Sequence, residues 1–392
     1  MSETLTDSNE IDHYALDEAA STLPTEWYYD RDHYERELER IWCRKWLYLC
    51  REESLAEPLA YRTLKIGSQN IWVARTDESE LVGYYNTCRH RGSQLLAQPE
   101  GKLRSNRISC PYHRWCYSIA DGSLLAISSF AEPRGFSKSD YGLFPIAVHS
   151  ARGFIFVNLD AEAEWKAEEV FDSGWSMQEN YPVQDWKIGH RWTRSFNCNW
   201  KTFWDNFAEC LHCPTVHPGL ADLVPIFKRG LMDEKDHPDW RKHVDDPHPK
   251  YRGGLREGAE TFSLDGSAQG YIDRSQYTKE ELERGATFAL TLPSAYIATH
   301  PDHARVTRVL PTGPESIEMQ VEWLFQPEAL ADPNYDISNV TDFIKQVLSE
   351  DGEISEVNQA GMHSAPMKQG VLMPEEYDVK TYRDWLLTAL ED

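Results

Sequence analysis

Apolar residues in RDHYERELERIW recur at helical spacing: Tyr34, Leu38, Ile41 and Trp42 share one face and charges fill the other. This predicts an amphipathic helix. Upstream, residues 1 to about 25 carry no periodic signal and read as a loose arm. From about 45 to 155 the period shortens to that of strands. AYRTLKI, NIWVAR and LVGYYN alternate, TDESE forms a polar turn between the last two, and Asp121-Gly122 within CYSIADGSLL marks a hairpin. GFIFVNLD, Gly153 to Asp160, closes what reads as a small antiparallel β domain.

Beyond 160 the pattern changes again. Helices are expected near 163–180 and 199–213, followed by a long polar segment, 230–280, rich in Asp, Pro, Gly and His. ATFALTLPSAYIATH, ARVTRVLPT and SIEMQVEWLF then read as three antiparallel strands. A long helix near 336–360 and a last one near 377–390 end the chain.

Composition narrows the class. Of the residues, 41% are hydrophobic and 12% aromatic, with 14 tryptophans, as in a globular chain with aromatic-walled interiors. A net charge of -24 repels phosphate backbones, so nucleic acid is not an expected partner. No run of apolar residues is long enough for a membrane span, and the acidic N-terminus lacks a secretory signal, so a cytoplasmic location is expected. For the eight cysteines, metal binding or plain burial is favoured over a disulfide frame.

Two of these cysteines, each with a nearby histidine, form a pattern. CRHRG supplies Cys88 and His90, and CPYH supplies Cys110 and His113. Zinc sites usually pair Cys with Cys and His with His. Here each loop carries one of each, so a two-iron cluster can take both thiolates on one iron and both imidazoles on the other. Zinc is the alternative. Gly92, Pro111 and Gly122 suit tight loops around such a group.

A second constellation lies in NWKTFWDNFAECLHCPTVHP. Trp200, Phe203, Trp204, Phe207 and Leu211 form an apolar helical stripe, with Asp205, Glu209 and His212 opposite. The plain reading of that polar face is solvation. Pro214 ends the helix, which lets His212 and His217 converge on one metal. Two histidines and a carboxylate make the facial triad of non-haem iron(II). In NVTDFIKQVLSEDGEISEVNQAG the inward stripe is Val340, Phe343, Ile344, Val347, Leu348 and Ile354, and Asp351 falls on it. An apolar stripe tolerates a carboxylate that is paired or metal-bound. Asp351 is favoured as the third ligand over Glu350, which with Glu353 is assigned to solvent; a cap or ion pair is the other role open to Asp351. Asp205 is a candidate support behind the ligands. Cys210 and Cys213 flank His212 and are expected as buried free thiols. A zinc site with His217 is the competing reading. His237, His243 and His248 read as loop residues, and His300 and His303 either face the pocket or sit on a surface hairpin.

Together, CRHRG, CPYHRW and E-x-x-H-x-x-x-x-H resemble the Rieske non-haem iron oxygenases, and EDGEISEVNQAG is similar to the segment that supplies their last iron ligand. The resemblance covers nearly the whole chain. It implies an α+β fold, an antiparallel β Rieske domain (45–155) inserted in a helix-grip (START/Bet v 1-like) α/β catalytic domain (156–392), with residues 1–44 belonging to the latter. It implies a [2Fe–2S] cluster on Cys88, His90, Cys110 and His113, and mononuclear Fe(II) on His212, His217 and Asp351. It also implies O2 as co-substrate and electrons from NAD(P)H through a separate reductase, since no nucleotide fingerprint is present. By the same resemblance Glu209 bridges the cluster of one subunit to the iron of the next, in a homo-oligomer expected to be a trimer. The excess of cations across 86–115 (Arg89, Arg91, Lys102, Arg104, Arg107, Arg114) fits either an acidic electron donor or a solvated face.

A glutamate at 209, with NFAECLHCPTVHPGL, AETFSLDG and SAYIATHPDH, looks like the branch acting on quaternary ammonium compounds: glycine betaine and proline betaine demethylases, and more loosely carnitine and choline monooxygenases. The implied reaction is N-demethylation with release of formaldehyde. Phe207, Trp204 and Tyr296 are the candidates for an aromatic cage around the cation. An oxygenase for an aromatic or other carboxylate predicts a basic anchor without a cage. An electron carrier that lost its iron is at odds with the intact His212, His217 and Asp351.

Overall fold

The computed structural model describes residues 13–391. The first expected helix is present as Arg31–Glu37, capped by Asp30 and continued by one wider turn, Leu38–Trp42, with Tyr34, Leu38, Ile41 and Trp42 buried. Part of the expected loose arm lies outside the described residues. The rest is tied down: Ala20–Ser21 pairs with Val371–Leu372, and Tyr14 donates its N–H to the Lys235 carbonyl.

The region expected to be a small β domain divides into small antiparallel sheets. Ala60–Ile66, Gln69–Arg75 and Leu81–Tyr85 lie side by side, with Glu100–Lys102 at the edge. Arg107–Ser109, Cys116–Ser118 and Leu124–Ala126 form a second sheet, with Gly122 at φ +70° in the expected Asp-Gly turn. Phe154–Asn158 pairs with Leu47–Arg51 and fixes the two ends of this region side by side.

The second half is built on a five-stranded antiparallel sheet in the order Lys187–Phe196, Ser316–Phe325, His303–Gly313, Ala295–Thr299, Thr287–Thr291. Five strands replace the expected three. One apolar run folds back on itself into two strands at Pro293, and Lys187–Phe196 alternates exposed and half-buried residues, too polar to announce itself. The helix Ile337–Met362 packs against Lys187–Phe196 and against the helix Trp200–Phe207, the expected helix-grip arrangement. Gly352 permits this approach, because a Cβ there would fall on the Phe196 ring. The helix expected over 163–180 is two single turns, Ala167–Val170 and Gly174–Met177, and 230–280 holds only short turns and one-turn helices. Among the described residues no helix is long and apolar enough to cross a membrane.

Candidate active site

The two cluster loops share one backbone plan. Cys88 N–H bonds to the Ser93 carbonyl and Gly92 N–H to Cys88; Cys110 N–H bonds to Trp115 and Arg114 N–H to Cys110. The fifth residue of each loop is left-handed, Gly92 at φ +73° and Arg114 at +57°. The loops bring like ligands together. The thiols of Cys88 and Cys110 are both buried and influence one another's ionisation, and the rings of His90 and His113 lie 4.8 Å apart toward the surface. Trp115 stacks on His90, and the Tyr117 hydroxyl sits 3.1 Å from Cys88 Sγ. Thiols inside and imidazoles outside fit a [2Fe–2S] group with unlike ends. Of the local cations, Arg89 is spent on the Gly142 and Asp140 carbonyls and Lys102 on Glu57.

The second site follows from three helix ends. Asn199 caps Trp200–Phe207 by accepting the Lys201 N–H. The expected helix to 213 stops at Phe207. Glu209 turns back to accept from Leu211 N–H and from His212 Nδ1, and these bonds replace the helical ones. Leu211, expected on the apolar stripe, is therefore exposed. Pro214 opens the short helix Cys213–Val216, and Pro218 opens Pro218–Leu223. His217, held out of the helical region by the following proline, sits at their junction and points inward, 1% exposed.

There His212, His217 and Asp351 place one ligand atom each within 4.8 Å of one another. Asp351 Oδ1 lies 2.8 Å from His217 Nε2 and 3.4 Å from His212 Nε2, and also accepts from Asn206 Nδ2 at 2.7 Å. Behind the rings, His212 Nδ1 meets Glu209 Oε1 at 2.5 Å and His217 Nδ1 meets Glu350 Oε2 at 2.8 Å. With both Nδ1–H groups donated backward, Nε2 is the ligand atom each ring turns toward the carboxylate, and two imidazoles with one carboxylate make the donor set of a divalent iron. Burial disfavours a charged His212, yet the Asp351 and Glu209 carboxylates outweigh it and lift the ring to about 9. Burial likewise raises Asp351, and the two imidazoles overcome it and hold the acid down to about 2.

Several residues depart from expectation. Glu350 is no solvated bystander but the partner of His217. Cys210 and Cys213 are joined in a disulfide rather than free, brought together by the turn between the two helices. Asp205 bonds to the Tyr28 hydroxyl at 2.6 Å rather than to either histidine. His300 and His303 form a hairpin turn, as one reading had it, but a buried one under Phe262.

A cavity of about 1180 Å³ opens from His212, His217 and Asp351. One wall is aromatic: Trp204, Phe207, Tyr296 and Phe288, with Phe207 and Tyr296 centroids 4.4 Å apart. Trp204 is fixed by its indole N–H on the Pro293 carbonyl. Phe288 and Arg305 were missed in the sequence. The detectable signal for Arg305 was a cation in the middle of an apolar strand.

Residues 183–392 match the ring hydroxylating alpha subunit (catalytic domain) family and residues 45–137 the Rieske [2Fe-2S] domain. The chain belongs to the Rieske oxygenase alpha subunits, whose two domains imply the cluster and the mononuclear iron. It is 32% identical to the carnitine monooxygenase oxygenase subunit of Acinetobacter baumannii over 259 residues, 65% of this chain and 66% of that one, just under two thirds of that relative. It is 27% identical to the glycine betaine monooxygenase oxygenase subunit of Pseudomonas aeruginosa over 93% of this chain and 88% of that one. With the chloroplastic choline monooxygenase of Beta vulgaris it shares 28% over 98% and 80%. A solved quaternary ammonium Rieske monooxygenase has the same fold, with a TM-score of 0.73 at 24% identity over 96% of this chain and 97% of that one. So does naphthalene 1,2-dioxygenase from Rhodococcus sp., with 0.67 at 20% over 95% of each.

Proposed function

We propose that this chain is the oxygenase subunit of a Rieske monooxygenase that removes an N-methyl group from a small betaine, of the glycine betaine or proline betaine type. The observation that carries this reading is the four-ring wall, Trp204, Phe207, Tyr296 and Phe288, in the same cavity as His212, His217 and Asp351. Ring faces attract a quaternary ammonium that no carboxylate need neutralise. The relatives named for carnitine, glycine betaine and choline support the same substrate class.

When bound, the mononuclear iron supplies O2 activation and the [2Fe–2S] group supplies electrons that originate from NAD(P)H and arrive through a separate reductase. The chain's own residues hold and orient. Glu209 and Glu350 keep the Nδ1 protons of His212 and His217, so both rings present Nε2. The aromatic wall turns an N-methyl toward the three ligands. One oxygen atom enters a C–H bond of that methyl; the other leaves as water with two electrons and two protons. The hydroxymethyl group then departs as formaldehyde, leaving the C–N electron pair on nitrogen and releasing its hydroxyl proton. We assign Glu209 a second role, as the bridge to the cluster of a neighbouring subunit in a homotrimer working in the cytoplasm. Its place behind His212 supports that role.

A carnitine- or choline-type C-hydroxylation uses the same pocket. Arg305, a cation in the cavity lining, also favours a second reading, a small carboxylate without an ammonium. The test is formaldehyde release by iron-loaded protein with a compatible reductase and NADH, across betaines, carnitine, choline and an aromatic carboxylate. Formaldehyde dependent on one betaine and lost in His212→Ala is the expected result. Turnover of the aromatic carboxylate alone overturns it.

A further inference from the structure

Arg305 stands in the cavity wall, 5% exposed, and the described residues offer it no counter-ion. Its Nη1 donates to His300 Nε2 at 3.0 Å, and its Nε has no partner. Asp302, three residues before it, makes no ion pair with it: its Oδ1 accepts from Thr261 at 2.5 Å and faces His303 Nδ1 at 2.8 Å, and its Oδ2 has no hydrogen-bond partner. His300 is a neutral acceptor, because its Nδ1 donates to the Gly285 carbonyl at 2.9 Å. It orients the guanidinium without neutralising it. Strand register explains the placement. Phe288, Ala298 and Arg305 lie directly opposite one another on three neighbouring strands, so they share one face of the sheet. Ala298 is small, and the guanidinium spans it to lie 5.7 Å from the ring centroids of both Phe288 and Tyr296. A buried cation without a counter-ion is costly unless a ligand supplies the anion. Planar N–H donors match the planar oxygen pair of a carboxylate.

We infer that Arg305 is the anchor for a substrate carboxylate, which makes the substrate a zwitterion, a quaternary ammonium acid and not an amino alcohol. The ammonium half rests on the function proposed above; the carboxylate half does not. Arg305 and the aromatic wall then hold the two ends of one molecule, and their spacing decides which N-methyl faces the iron ligands.

The test is calorimetric binding to the iron-loaded protein of glycine betaine, proline betaine and carnitine, each beside its methyl ester, with choline and benzoate. The acid should bind about 100-fold or more tightly than its ester, and Arg305→Met should bring that ratio near one while the cluster's absorption spectrum is unchanged. Equal binding of acid and ester by the wild type, which needs no variant to fold, overturns the anchor. Equal binding with formaldehyde still released leaves the demethylase and removes Arg305 from it. Benzoate binding that depends on Arg305, with no ammonium compound bound, keeps the anchor and ends the betaine reading.

Discussion

His217 and Glu350 are joined through Nδ1 and Oε2 at 2.8 Å, while the other nitrogen of the same ring meets Asp351 at the same distance. Two consecutive residues of one helix thus grip both sides of one imidazole, and the ring cannot rotate without losing a carboxylate. Glu350→Ala is expected to weaken iron binding about 10- to 100-fold. Glu350→Gln keeps an acceptor oxygen for the Nδ1 proton and should cost less. Iron retained against a graded chelator series measures this, with the cluster's absorption as the internal control.

Gly352 follows the carboxylate directly, and its missing Cβ is what lets the helix lie on Phe196. Gly352→Ala must push the helix off the sheet or distort the ring. The expected loss is about 1–3 kcal/mol of stability, accompanied by lower iron content as Asp351 is carried away from the histidines. Adding Phe196→Leu should recover part of both. Unfolding midpoints read beside iron analysis decide it; a stable Gly352→Ala protein with full iron would show that the contact relaxes freely.

What the chain disclosed in advance was whatever repeats with a short period or clusters in sequence. The cluster loops, the E-x-x-H-x-x-x-x-H motif and the stripe of the long helix are local, and so were readable. Glu350 was not, because its helical position points to solvent until His217 arrives from 133 residues away. Leu211 was misplaced because periodicity alone carries a helix on, whereas Glu209 found better partners in Leu211 N–H and His212 and ended it. The Cys210–Cys213 disulfide depends on that same unforeseen turn. Arg305 and Phe288 lie on different strands and meet through register across Ala298, which no single segment encodes.

In the proposed function, Asp351 is what separates an oxygenase from an electron carrier built on the same fold. Its removal takes the only carboxylate from the three-residue group that can hold a metal, and leaves the cluster loops untouched. Asp351→Ala should lose the mononuclear iron and keep the two irons of the cluster, with formaldehyde release abolished. Metal analysis alongside the cluster spectrum checks this. Loss of both metals together would mean that the variant had failed to fold.

Asp205 gives a pH signature that needs no metal. Burial lifts this carboxyl to about 7, helped by Glu376 and Glu209 and opposed by the Tyr28 hydrogen bond and by Lys201. An unfolded carboxyl titrates near ~3.9, so the folded state holds the proton more tightly. The stabilisation from that proton is complete below the unfolded pKa and is lost as pH rises through about 7. Asp205→Asn preserves an acceptor for Tyr28 and has no proton to lose. The variant should therefore gain on the wild type steadily from about pH 4 to 7 and hold a constant lead above that. Unfolding midpoints of both proteins across this range supply the difference, in which trends common to the two cancel. A difference that does not change with pH would mean that Asp205 keeps one charge state throughout, with Lys201 and Tyr28 holding it ionised.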